Sequence, residues 1–316
     1  MHPLVERFAA LARLSQVQEQ PSPAHLPGLG KCAPFTAVTA AEVEGVIGRH
    51  GLRSEQVVVT RHGVVVPAAQ YTATARIDRV PLPGVVRHAA LFDLVESGHT
   101  LALPGCELWL PGIAVLCDQL RSALAQPVLA GLFLTPASET GLSVHTDAYD
   151  VLAVQTTGSK RWRVFAKRPE PVRNAPVDVS DEPVLDVVLQ QGDALFVPRG
   201  CPHVASAESF SLHVSLGVQA MTAREVLVAA MRSATLSADL DAPMPYREVG
   251  DLNDRRAAVL RRASEALLTG LSSDQADRVY QALSSSTTTA PSPGRLRRLE
   301  SAAEMTDSPS WPGTAP

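Results

Sequence analysis

Gly141-Leu142-Ser143-Val144-His145-Thr146-Asp147, running on into DVLAVQT (150–156), is the stretch on which the reading of this chain turns. His145 and Asp147 stand two apart at the entry to a strand pattern, and residues two apart on a strand share a face. Further along, GDALFVPRGCPH (192–203) places His203 behind a Gly-Asp turn and a short apolar strand. Two imidazoles and one carboxylate on one face of an octahedron leave the other positions open. That set suits iron(II) with exchangeable sites for a bidentate cosubstrate and dioxygen. A closed structural zinc site would need further donors, and no cysteine cluster supplies them. Read separately, His145-x-Asp147 is also a hydrogen-bonded turn and His203 a packed loop histidine. It is their joint placement, on what would be opposite strands of one barrel mouth, that favours the metal.

Working outward, short strand patterns follow one another: GLFLTP (131–136), RWRVFA (161–166), PVLDVVLQ (183–190), ALFVP (194–198) and FSLHVSLGV (210–218). Thr157-Gly158-Ser159 and Gln191-Gly192-Asp193 punctuate them as turns. Many short, evenly spaced strands predict a β-sandwich or barrel. Upstream, apolar residues at helical spacing predict helices over 3–13 and 40–50, separated by the loop QPSPAHLPGLGK (20–31). VVVT and VVVP around Arg61-His62-Gly63 predict a hairpin, and 108–125 suits a helix after the Pro111-Gly112 turn. Downstream, Thr222 and Glu225 form a capping box ahead of Val226, Leu227, Ala230, Met231 and Ala234. Further helical patterns cover 253–271 and 273–283. The Ser/Thr/Pro-rich tail from 285 to 316 reads as disordered, with RLRRLESAAEM (295–305) as a short helical candidate.

Composition narrows the class. A net charge of −4 and a pI near 6.1 argue against a nucleic-acid binder that relies on bulk positive charge. Cys32, Cys106, Cys117 and Cys201 form no C-x-x-C pair, so reduced thiols are expected. No apolar run approaches the roughly 18 residues of a membrane span. The N-terminal segment carries an acid and no cleavage-type sequence, so a soluble, cytoplasmic protein is expected.

The stretches LTP (134–136), His145-Thr146-Asp147, VQTTGSKRWRVF (154–165), GDALFVPRGCPH (192–203) and SLHVSLGV (211–218) resemble the JmjC-type cupins called ribosomal oxygenases, which hydroxylate residues of ribosomal proteins. GHTLALPGCELWLP (98–111) is similar to that family's lead-in to its barrel. The resemblance implies a mainly β double-stranded β-helix (a jelly roll of the cupin/JmjC kind) with N-terminal α/β additions and a C-terminal helical dimerisation segment. The expected division is 1–220 catalytic, 221–284 helical and 285–316 tail. It implies His145, Asp147 and His203 as iron(II) ligands and catalytic residues. It also implies a basic residue fifteen positions after His145, which is Lys160, paired with the distal carboxylate of 2-oxoglutarate. The physical case agrees, because an unpaired carboxylate inside a barrel costs several kcal/mol. A solvated turn lysine is the other reading.

His213 and Ser215 alternate away from Leu212, Val214 and Leu216, which places them inside the barrel. There they are either cosubstrate contacts or, for His213, a satisfied core histidine. Phe133 stands where relatives carry a tyrosine whose hydroxyl helps hold 2-oxoglutarate. Arg161-Trp162-Arg163 reads as outward arginines around a packed tryptophan, with a cation–aromatic cluster as the alternative. Residues 285–316 are too few for the winged helix that the family carries after its dimerisation helices, which opens the way to a different substrate.

The expected function is hydroxylation of an amino-acid side chain in a protein or peptide, with demethylation ranked lower. The alternatives are hydroxylation of a small-molecule or carrier-bound amino acid, and a non-catalytic cupin module. A homodimer is expected through residues 222–284, whose apolar stripes (Val226, Leu227, Met231; Val259, Leu260, Leu267) exceed what a short helical addition buries against a barrel.

Overall fold

Alternating apolar residues in the second half of the chain build two antiparallel sheets, and the first half supplies helices that cover one of them. The computed structural model describes residues 2–49, 51–167, 175–177 and 179–232, with isolated positions between 258 and 265. The predicted helices over 253–271 and 273–283 and the tail from 285 thus lie, those positions apart, outside the described residues. The N-terminal part runs α1 (Pro3–Val17), β1 (Ala24–Leu26), α2 (Ala33–Thr36), α3 (Ala40–Arg49), β2 (Val58–Arg61), β3 (Val64–Val65), β4 (Thr72–Ile77), β5 (Val80–Val86), α4 (His88–Glu96), β6 (Thr100–Pro104) and α5 (Pro111–Leu124). The barrel strands follow: β7 (Val128–Thr135), β8 (His145–Thr146), β9 (Asp150–Thr157), β10 (Lys160–Val164), β11 (Ala175–Pro176), β12 (Leu185–Leu189), β13 (Ala194–Val197), β14 (His203–Ala207) and β15 (Ser211–Val218). Helix α6 (Ala223–Arg232) starts at the predicted capping box: Glu225 accepts from the Thr222 amide at 2.7 Å, and the Glu225 amide donates to the Thr222 hydroxyl at 3.2 Å.

The larger sheet has the order β1-β13-β9-β15-β7-β6-β2-β3, and the smaller one β11-β8-β14-β10-β12; β4 and β5 pair alone. Strands β9 and β15 are buried on both faces. Leu152, Val154, Leu212, Val214, Leu216 and Val218 point to the helices, where they join Leu4, Phe8, Ile113, Leu116 and Leu120 in one core. Phe8 of α1 meets Phe196 edge-on, ring centres 6.1 Å apart. Val151 and Ala153 point the other way and pack with Trp162, Val164, Leu189, Leu195, Val197 and Cys201 between the sheets. Each fully buried aliphatic side chain stabilises the fold by roughly 1.5–3 kcal/mol, so the helix-covered face fixes the sheet whose other face lines the site.

One element departs from the sequence reading, and a hairpin lies where no element was predicted. The predicted loop 20–31 contains β1, which pairs Ala24, His25 and Leu26 with Phe196, Leu195 and Ala194. Its flanking prolines hid it, since proline is tolerated beside a short edge strand. The β4–β5 hairpin carries Asp78 and Arg79 at its tip with φ of 44° and 69°, a turn usually announced by glycine or asparagine. Among the described residues, no helix is long and apolar enough to cross a membrane.

Candidate metal centre

His145 on β8 and His203 on β14 are directly opposed in register, and Asp147 follows one residue after β8. One ligand atom from each of the three lies within 4.8 Å of the others. The imidazole centres are 4.4 Å apart at a tilt of 55°, and His203 Nε2 is 3.6 Å from Asp147 Oδ2. Nδ1 of His145 lies 2.9 Å from the Ser143 carbonyl, and Nδ1 of His203 lies 3.1 Å from the Cys201 carbonyl. A carbonyl only accepts, so each Nδ1 carries the proton and each Nε2 keeps its lone pair. Burial, then the neighbouring His145, push the His203 pKa down to about 4. The Gly200 amide holds the Asp147 carbonyl at 3.0 Å, tying the two ligand-bearing segments together. Two imidazoles that turn Nε2 to a common point and a carboxylate, with buried Asp147 and His203 and half-buried His145, fit a divalent first-row metal.

Below the three ligands the barrel interior is layered, and strand register sets the layers. One row has Ser215 between Gly131 and Ala153; the next along β15 has His213 between Phe133 and Gln155; then Ser211 lies opposite Thr135. Lys160 reaches this last row from β10. It is 4% exposed, and its Nζ donates to Thr135 Oγ1 at 2.9 Å; Thr135 Oγ1 in turn accepts from Thr100 at 3.2 Å. Burial pushes the Lys160 pKa down to about 7, and no carboxylate pairs with it among the described residues. A solvated turn lysine is therefore ruled out.

The His213 ring stacks on Phe133, centres 4.8 Å apart and 4° from parallel. Its pKa is pushed well down by burial, then by the charges of Lys160 and His203. Its Nδ1, the Trp162 Nε1 and the Gln155 Oε1 are buried without a hydrogen-bond partner. Trp162 points inward while Arg161 points out and holds Asp186 through two bonds of 2.8 Å. Sequence reasoning assigned no part to Thr135, Thr100 or Gln155, and it read Trp162 as a packed residue between outward arginines, as the structure has it. Thr135 lay within the quoted LTP, but its meeting with Lys160 depends on strand pairing.

With this geometry in hand, comparison with known proteins defines the class: residues 110–226 match the JmjC domain model. The chain therefore carries a JmjC domain, homologous in sequence to ribosomal oxygenase 1 and NO66. It is 27% identical over 206 residues to ribosomal oxygenase 1 of Danio rerio, covering 62% of this chain and 37% of that protein. It is 33% identical over 150 residues to the bifunctional lysine-specific demethylase and histidyl-hydroxylase NO66 of Drosophila grimshawi, covering 45% of this chain and 21% of that one. The chain thus spans well under half the length of these relatives. Among solved structures, Escherichia coli ycfD matches with a TM-score of 0.54 at 19% identity, over 84% of this chain and 68% of that one. The E. coli ribosomal oxygenase YcfD in complex with cobalt and 2-oxoglutarate matches with a TM-score of 0.53 at 18% identity, over 82% and 66%. These two likenesses establish the fold.

Proposed function

We propose that this chain is an iron(II)- and 2-oxoglutarate-dependent oxygenase that hydroxylates an amino-acid side chain of a protein or peptide. The observation that carries the proposal is the convergence of His145, Asp147 and His203 on one point, with both histidines turned to present Nε2. His145, Asp147 and His203 would hold the iron. Lys160, steadied by Thr135, would pair with the distal carboxylate of 2-oxoglutarate, and His213 and Ser215 would line the floor between. When bound, iron(II) supplies dioxygen activation coupled to decarboxylation of 2-oxoglutarate, the chemistry that hydroxylates an unactivated C–H bond. The chain's own residues orient and enclose. Asp147 and the two histidines would hold the metal through one ligand atom each, and Lys160 would pair with the cosubstrate's far carboxylate. Val151, Ala153, Val164 and Leu195 form an apolar cluster between the sheets, beside Trp162.

A polypeptide substrate is supported by the relatives, which are named as a ribosomal oxygenase and a histidyl-hydroxylase. We further propose a cytoplasmic homodimer, with residues 1–220 as the catalytic unit and 221–284 as the dimerisation segment. The apolar stripe after the Thr222–Glu225 capping box supports this division. The test is incubation of iron-loaded protein with 2-oxoglutarate and extract from cells lacking the gene, followed by mass spectrometry. A polypeptide that gains one oxygen supports the proposal. A metabolite that gains oxygen, while no polypeptide does, replaces it with the small-molecule reading.

A further inference from the structure

Arg161-Trp162-Arg163 is not used up by the metal centre or by the lysine anchor. Trp162 is 4% exposed and leaves β10 on the same inward face as Lys160, two residues away. Its ring lies 24° from parallel to His203 with centres 5.9 Å apart, and meets His213 edge-on at 5.4 Å. It therefore spans the layer between the three metal-ligating side chains and Lys160. Its Nε1–H is buried with no hydrogen-bond partner, and so is Nδ1 of His213 in the same layer. A buried N–H is ordinarily satisfied, and an indole in a core that needs no donor gains nothing over phenylalanine from its nitrogen.

We propose that Trp162 is a further cosubstrate-binding residue, whose indole N–H donates to an oxygen of the bound 2-oxo acid while its ring face, set against His203, fixes that ligand's orientation. The inference rests on reading the site as a metal and 2-oxoglutarate centre. An acid that bridges the metal and Lys160 must cross the layer Trp162 occupies, and its oxygens are the acceptors this donor lacks.

The experiment uses the full chain loaded with zinc(II), a redox-inert stand-in, with 2-oxoglutarate as the probe. Of the three indole N–H resonances, that of Trp162 is identified by its loss in Trp162→Phe. The expected result is a downfield move of this resonance on adding 2-oxoglutarate. Calorimetry on Trp162→Phe should show 2-oxoglutarate bound roughly ten- to hundredfold more weakly, the size of one charge-assisted hydrogen bond, with zinc affinity unchanged. A wild-type chain that binds 2-oxoglutarate with none of its three indole N–H resonances moving overturns the role of Trp162 alone, even if the variant fails to fold. Undiminished affinity in a folded variant does the same. A wild-type chain that binds no 2-oxoglutarate overturns both this inference and the cosubstrate assignment beneath it.

Discussion

Replacing Lys160 with methionine should make the metal-free protein more stable while removing its response to 2-oxoglutarate. The stem keeps nearly the same volume, so the change isolates the ammonium. Burial lowers the Lys160 pKa from 10.5 to about 7. At roughly 1.36 kcal/mol per pH unit, the folded chain carries a penalty of about 5 kcal/mol for holding the charge, present in full below pH 7. Between pH 7 and 10.5 the unfolded chain binds the extra proton, so wild-type stability rises with pH there and the penalty shrinks to about 2 kcal/mol near pH 9. Loss of the bond to Thr135 returns about 1 kcal/mol, leaving a net gain of about 3–4 kcal/mol for Lys160→Met at pH 6. Urea denaturation at pH 6 and pH 9 measures the difference, which should be larger at pH 6. In zinc-loaded protein, 2-oxoglutarate should raise the wild-type melting temperature and leave the variant's unmoved. A variant that is less stable at both pH values, or that still responds to 2-oxoglutarate, would show that Lys160 is not a buried amine awaiting a carboxylate.

Two further predictions concern the groups around that amine. Thr135→Val removes the hydroxyl that Lys160 and Thr100 both bond; calorimetry should show 2-oxoglutarate affinity falling about tenfold, with metal affinity unchanged. Gly141→Ala would set a Cβ 2.6 Å from Thr100 Oγ1 and 2.8 Å from its Cγ2. It should destabilise the chain by about 1–3 kcal/mol and weaken 2-oxoglutarate binding through the Thr100–Thr135 bond, read by denaturation and calorimetry together.

The sequence carried much of this because strand alternation fixes facing. His145-x-Asp147 and the pair Lys160-x-Trp162 each needed only a period of two to share a face. His213 stood out against Leu212 and Val214 for the same reason. The opposition of His145 to His203 was legible only through the family's barrel topology, since it depends on β8 meeting β14. The bond from Lys160 to Thr135 and the row Phe133–His213–Gln155 are products of register between distant strands, which no local pattern encodes. Strand β1 hid among prolines, and the β4–β5 turn lacked the glycine that normally marks such a hairpin.

Anaerobic titration of the full chain with iron(II), followed by 2-oxoglutarate, tests the central claim most directly. The account predicts one tightly held ion per chain, 2-oxoglutarate binding that requires this ion, and the loss of both in a folded Asp147→Ala variant. A wild-type chain that takes up no iron(II), or an Asp147→Ala chain that binds the ion and 2-oxoglutarate as tightly as wild type, would contradict it.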